Sequence, residues 1–97
     1  MNEQFLADAQ AAAEAADVVY QAADFPTKLQ MKSDRDMAFE RIETIRLQII
    51  SGQIVLTQEN LAEMSVIRAE ISAAADTQSK IIAVGKLAAV LGKHFLS

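Results

Sequence analysis

The chain has 97 residues, a formal net charge of −4 and no cysteine, and it is 52% apolar but only 5% aromatic. That length holds one domain, residues 1–97, whose core needs no disulfide or metal, aids that matter below roughly 70–80 residues. The missing cysteines exclude disulfides and thiolate metal sites, and the acidic balance has the wrong sign for a protein that simply coats phosphates.

Much of the apolar fraction is alanine. Burial is worth only about 25 cal/mol per Å², and an alanine side chain removes little area from water. A core built this way gains by bringing backbones close together, within one chain or between two.

The first segment, Asn2 to Asp24, favours helix throughout. Asn2 is a suitable N-cap, and Glu3 lies in the first turn, where the helix dipole favours an acid. Phe5, Ala9, Ala12, Ala16, Val19 and Ala23 recur at alternating spacings of four and three, a coiled-coil-like seam made largely of alanine. Phe25-Pro26 ends it, because the residue before proline is pushed out of the α region. A connector, "TKLQMK", then leads to Ser33, which with Asp36 predicts a second helix start. Met37, Ala38, Ile42, Ile45 and Ile49 mark one face of that helix, and Ser51-Gly52 closes it, with glycine at the left-handed position.

Thr57 is a good N-cap for a third helix, with Leu56 and Leu61 as a hydrophobic staple across it. A break is expected near Asp76, and Asp76, Thr77 and Ser79 start a fourth helix. The predicted helices span 2–24, 34–51, 57–75 and 78–93. The fold class is all-α: a three- or four-helix antiparallel bundle, or helical hairpin, with an alanine-rich N-terminal helix.

The stretch Thr57-Gln58-Glu59-Asn60-Leu61-Ala62-Glu63 reads like the opening helix of a helix-turn-helix DNA reader. That motif needs an apolar residue and then a turn, usually with glycine, where this chain has Ser65 and Val66. Arg68 is the only basic residue between Gln53 and Ala75, too few to neutralise phosphates. As one unbroken helix the same residues are consistent, with Leu61, Met64, Ile67, Ile71, Ala74 and Ala75 to one side.

Chemistry is sparse. His94 is the only histidine and has no cysteine to share a metal with; a cation near a helix C-terminus is a sufficient role for it. Glu59/Glu63 and Glu40/Glu43 place carboxylates side by side, but helical carboxylate–metal sites add histidines that are missing here. No glycine-rich phosphate loop is present. No catalytic residue, cofactor or metal is expected.

The last segment carries Ile81, Val84, Leu87, Ala88, Leu91 and Phe95 along one stripe, with Lys86 and Lys93 opposite. A terminal helix packed on its own core has this design, and so does a cationic helix seated on a membrane or in a partner's groove. Gly85, Ala89 and Gly92 add a small-residue ridge that admits a close neighbour. Charge is also uneven: every charged residue before Pro26 is acidic, and every one after Thr77 is lysine. The two ends could therefore attract each other.

These features favour a non-catalytic helical interaction protein, of the assembly, phage or bacterial accessory, chaperone or inhibitor type. Its partner is another protein, a second copy, or both. The expected interface is Phe5, Ala9, Ala12, Ala16, Val19, Ile81, Val84, Leu91 and Phe95. The alternatives are a helix-turn-helix regulator, with nucleic acid disfavoured by charge, and a membrane-associating or virion protein acting through residues 79–97. Without a basic leader or a long apolar run, the cytoplasm or the interior of a virion or assembly is the expected location.

Overall fold

The computed structural model describes residues 2–95, with side chains up to Gly92. Four helices, α1 (Asn2–Ala22), α2 (Phe25–Ile50), α3 (Gln58–Ala73) and α4 (Thr77–Phe95), form an all-α bundle, and none of the described residues is in a strand.

The largest departure from expectation is the start of α2. The stretch "TKLQMK", read as a connector, is helical, and α2 runs for 26 residues from Phe25. Asp24 is its N-cap: the Thr27 backbone N–H donates to Asp24 Oδ1 at 3.0 Å. Pro26 sits in the first turn, where its missing N–H leaves no bond unmade and its fixed φ suits the helix. The proline therefore stops one helix and opens the next. Ser33 and Asp36 lie inside α2, and Asp36 instead accepts from Lys32 at 2.6 Å and Arg35 at 2.9 Å.

The remaining boundaries follow their caps. Gly52, with φ of +74°, is the single described residue in the left-handed region, just past the end of α2. Thr57 and Asn60 exchange side-chain and backbone bonds at 3.1 and 3.0 Å across the first turn of α3. Asp76 restarts the chain by accepting from the Ser79 N–H at 2.8 Å. α3 runs unbroken through Ser65 and Val66, so no helix-turn-helix bend exists there.

Cross-links between elements set the arrangement. Arg35 reaches Asp17, and Arg46 reaches Gln10, so α1 and α2 are antiparallel. Asp34 lies beside Gly85, and Arg41 beside Gly92, so α2 and α4 run parallel. Lys86 meets Glu70, while Val66 and Val90 line one groove, so α3 and α4 are antiparallel. It follows that α1 and α3 are parallel. The pairs in contact are α1/α2, α2/α4, α1/α3 and, less extensively, α3/α4 and α1/α4, whereas α2 and α3 do not approach each other. Consecutive helices α2 and α3 thus occupy opposite corners. Residues 51–57 carry the chain between those corners. Seven residues reach about 23 Å when extended, enough for the diagonal of helices spaced roughly 8–10 Å apart. Leu56 of this segment is buried, and Ile54 is half-buried against the core.

The core holds Phe5, Ala9, Ala12, Ala13 and Ala16 of α1 with Met31, Ala38, Ile42 and Ile45 of α2. Met64, Ile67 and Ile71 of α3 and Ala83, Val84, Leu87 and Leu91 of α4 complete it. The buried face of α1 is wider than the heptad seam, adding Ala13 and Asp8, because α2 packs on one side of it and α3 on the other.

Ala12 and Ala16 have no exposed surface. Ala12→Leu or Ala16→Leu should cost about 1–3 kcal/mol by overpacking, while Ala7→Leu on the exposed face should stay within about 0.5 kcal/mol. Urea unfolding midpoints check this, and equal effects at all three positions would contradict it.

Acid should loosen the caps. Hydrogen bonds from the Thr27 hydroxyl and N–H hold the Asp24 carboxyl below the usual 3.8. The Ser79 N–H and hydroxyl do the same for Asp76. Folded values below unfolded ones mean a contribution that is complete above the unfolded pKa and is lost as pH falls through the folded one. Stability should therefore drop below about pH 4. Asp24→Asn with Asp76→Asn, which keeps capping oxygens, should flatten that drop in denaturant titrations across pH; an unchanged acid slope would place it elsewhere.

Candidate functional site

Side chains drawn from solvent show where the fold concentrates its polar interactions. Asp8 is buried between α1 and α3, where it accepts from Arg68 Nη1 at 2.8 Å and Gln4 Nε2 at 3.2 Å. Arg35 joins α1 to α2: Nε and Nη2 both donate to Asp17 Oδ1, at 2.9 and 2.6 Å. Its guanidinium also lies over the Tyr20 and Phe39 rings, 5.5 and 5.0 Å from their centroids. Bonds to Asp36 and Asp17 hold Arg35 more firmly protonated than usual. Lys32 and Arg35 depress the Asp36 carboxyl in turn. These groups join helices, and each charge has an opposite one beside it.

The residues expected to form an interface fall elsewhere. Phe5, Ala9, Ala12, Ala16, Val84 and Leu91 are buried within the chain's own core. Val19 and Ile81 are half-buried against that core. Val19 also lines a cavity of about 150 Å³, with Asp24, Thr27, Met31 and Lys80, where α1, α2 and α4 meet. A partner could reach the alanine seam only by displacing a helix. The side chains of Lys93, His94 and Phe95 lie outside the described residues. The acidic first helix and basic last one do not pair through any described ion pair. Instead α1 is matched by Arg35 and Arg68, and Lys86 of α4 by Glu70 of α3.

The small-residue ridge of α4 likewise serves the bundle. A Cβ on Gly92 would lie 2.7 Å from Arg41 Nη1, and one on Gly85 would lie 3.3 Å from Asp34 Oδ2. Arg41 donates to the Ala88 carbonyl oxygen, one turn before Gly92. A glycine four residues on leaves that carbonyl open to a side chain from the neighbouring helix.

The loosest side of the bundle is α3 against α4. Two open grooves run along it, of about 370 and 320 Å³. The first is lined by Glu63, Val66, Ile67, Glu70, Lys86 and Val90. The second is lined by Glu70, Ala73, Ala74, Ser79, Ile82 and Ala83. Glu70 belongs to both and accepts from Lys86 Nζ at 3.1 Å, bridging the helices between them. Val66 and Ile82 are 56% and 51% exposed at the rim. The expected interface includes neither, because both lie off the core stripes, although Ile82 is near the small-residue ridge of α4. An aliphatic residue out of register on a helix that already has an apolar face was the signal available.

Among the described residues no cluster of three or more histidine, cysteine or acidic side chains could hold a metal, and no helix is long and apolar enough to cross a membrane. In an Arg41→Ala background, Gly92→Ala should stabilise α4 by up to about 1 kcal/mol through helix propensity. With Arg41 present that gain should largely vanish, because the guanidinium must leave the Ala88 carbonyl. A double-mutant cycle by thermal unfolding measures this, and strict additivity would rule the coupling out. Comparison of the chain with protein-family models, curated proteins and solved structures finds no match.

Proposed function

We propose that this protein is a non-catalytic helical interaction protein that receives an apolar helix of a partner along the α3–α4 groove. The observation that carries this reading is the imbalance between the sides of the bundle. α1 is buried on both flanks by α2 and α3, while α3 and α4 leave two grooves with Val66 and Ile82 half-open to water. Amphipathic helices recognise such grooves through residues three and four apart. The adaptor, chaperone, inhibitor and assembly-subunit roles all share this mechanism.

Two features weigh against the other classes. Arg68, the only cation of α3, is engaged by Asp8, which leaves no basic face there for nucleic acid. The apolar stripe of α4 through Val84, Leu87 and Leu91 is occupied by the core, so a membrane would have to extract it.

A photoreactive side chain at position 66 or 82, in the chain expressed in its own cells, should crosslink to a helical segment, whereas one at exposed Ala7 should not. Val66→Asp with Ile82→Asp should abolish that capture and change folding stability by no more than about 0.5 kcal/mol per site. Crosslinking that ignores these substitutions would remove the groove from the function.

A further inference from the structure

Among the described residues, half of the large apolar side chains left in water belong to α2. Phe25, Leu29, Leu47 and Ile50 are between 61% and 76% exposed. All four fall on one stripe. Phe25, Leu29, Lys32, Asp36, Phe39 and Glu43 recur at alternating spacings of four and three, and Ile50 follows seven residues on, with Arg46 and Leu47 in the turn between. This is a coiled-coil repeat on the solvent side of α2, separate from the buried face of Met31, Ala38, Ile42 and Ile45. The stripe is apolar at its ends and charged in its middle, and its charges cancel, Lys32 and Arg46 against Asp36 and Glu43. None of the chain's net charge of −4 lies on it.

We propose that this stripe pairs with the same stripe of a second copy, the two α2 helices running antiparallel about a two-fold axis at Met37–Ala38. Phe25 of one copy then faces Ile50 of the other, Leu29 faces Leu47 and the aliphatic stem of Arg46, and Lys32 faces Glu43. Symmetry makes each contact twice. Apolar ends meet apolar ends, and the facing charges are opposite. A parallel pair would instead set Lys32 on Lys32, Asp36 on Asp36 and Glu43 on Glu43, a like-charge contact in each of those layers. Lys32 and Glu43 already pair along their own helix with Asp36 and Arg46. An ammonium has further donors and a carboxylate further lone pairs, so each accommodates a second partner. Near the axis Asp36 meets Phe39 of the other copy, while Lys32 and Arg35 of its own chain keep its charge matched. A strongly charged foreign helix finds no net charge to match on this face, whereas a second copy matches it layer by layer. Two helices of 26 residues, about 39 Å long, make a contact at the small end of specific interfaces, so the dimer assembles at micromolar concentrations and dissociates on dilution. The stripe is distinct from the α3–α4 groove, because α2 and α3 do not approach each other.

Sedimentation velocity across a micromolar concentration range should show a reversible monomer–dimer equilibrium. Lys32→Glu or Glu43→Lys alone should weaken it roughly tenfold, since each sets like charges opposite one another at both symmetric positions. Mixing the two variants in equal amounts should recover association, because position 32 of each chain then faces an opposite charge at position 43 of the other. Neither variant regains its own intrahelical pair on mixing, so a contact between copies alone explains that recovery. The chain has no cysteine, so Phe25→Cys with Ile50→Cys should give a disulfide-linked dimer on mild oxidation, and neither substitution by itself should. Within one chain those positions stand about 37 Å apart along α2. All four substituted positions are exposed, and circular dichroism checks that each variant folds. A chain that stays monomeric throughout the range, association that ignores both charge reversals, or a disulfide formed by Phe25→Cys alone overturns the proposal. A dimer that Val66→Asn with Ile82→Asn dissolves, and the charge reversals do not, moves self-association to the α3–α4 groove and overturns it as well. A monomer whose position 29, made photoreactive, crosslinks to a different protein gives the stripe to a foreign helix, and self-pairing fails.

Discussion

The architecture depends on the burial of α1 between two neighbours at once. Its inward positions are Phe5, Ala9, Ala12, Ala13 and Ala16, and only Phe5 brings substantial mass. Alanine contributes little by transfer from water, so the stabilisation has to come from backbones held close and in dispersion contact along their length. That works when a flat alanine surface meets larger side chains, and α2 and α3 supply them as Met31, Ile42, Ile45, Met64, Ile67 and Ile71. The isoleucine-rich inner face of α2 is the complement of the alanine surface. Its β-branched residues lower helix propensity slightly, and packing outweighs that cost.

Placing α2 and α3 on opposite flanks of α1 has a topological consequence. The two helices are consecutive in sequence yet cannot be neighbours, so residues 51–57 must cross the end of the bundle, and Leu56 plugs that end. α4 then packs mainly on α2, where Gly85 and Gly92 admit Asp34 and Arg41. Its closest approach is committed to that side. The side facing α3 is consequently the least filled, and the exposed Glu70–Lys86 ion pair spans it. The groove is a by-product of where the small residues of α4 point.

Charge placement follows the same geometry. Asp8 and Asp17 are drawn inward where α1 meets its flanking helices and are matched by arginines, whose planar fork suits partly buried carboxylates. Acids at helix starts, Asp24 and Asp76, satisfy backbone donors that would otherwise be orphaned.

The sequence by itself determined the helices and most of their ends: Thr57, Gly52 and Asp76 each fix local backbone geometry through bonds or φ values within a few residues. It also determined which faces are apolar, including the alanine seam and the Val84–Leu91 stripe. It misled at Asp24–Pro26, where one proline both ends a helix and begins another, and the capping aspartate was the cue. Only the tertiary structure decided which helix covers which face. Periodicity names an apolar side but not its neighbour. The pairings that settle the matter, Arg68 with Asp8 and Arg41 with Ala88, join residues 60 and 47 positions apart. The α3–α4 groove is legible in no single segment, because it arises where two helices meet incompletely once each has packed more closely elsewhere.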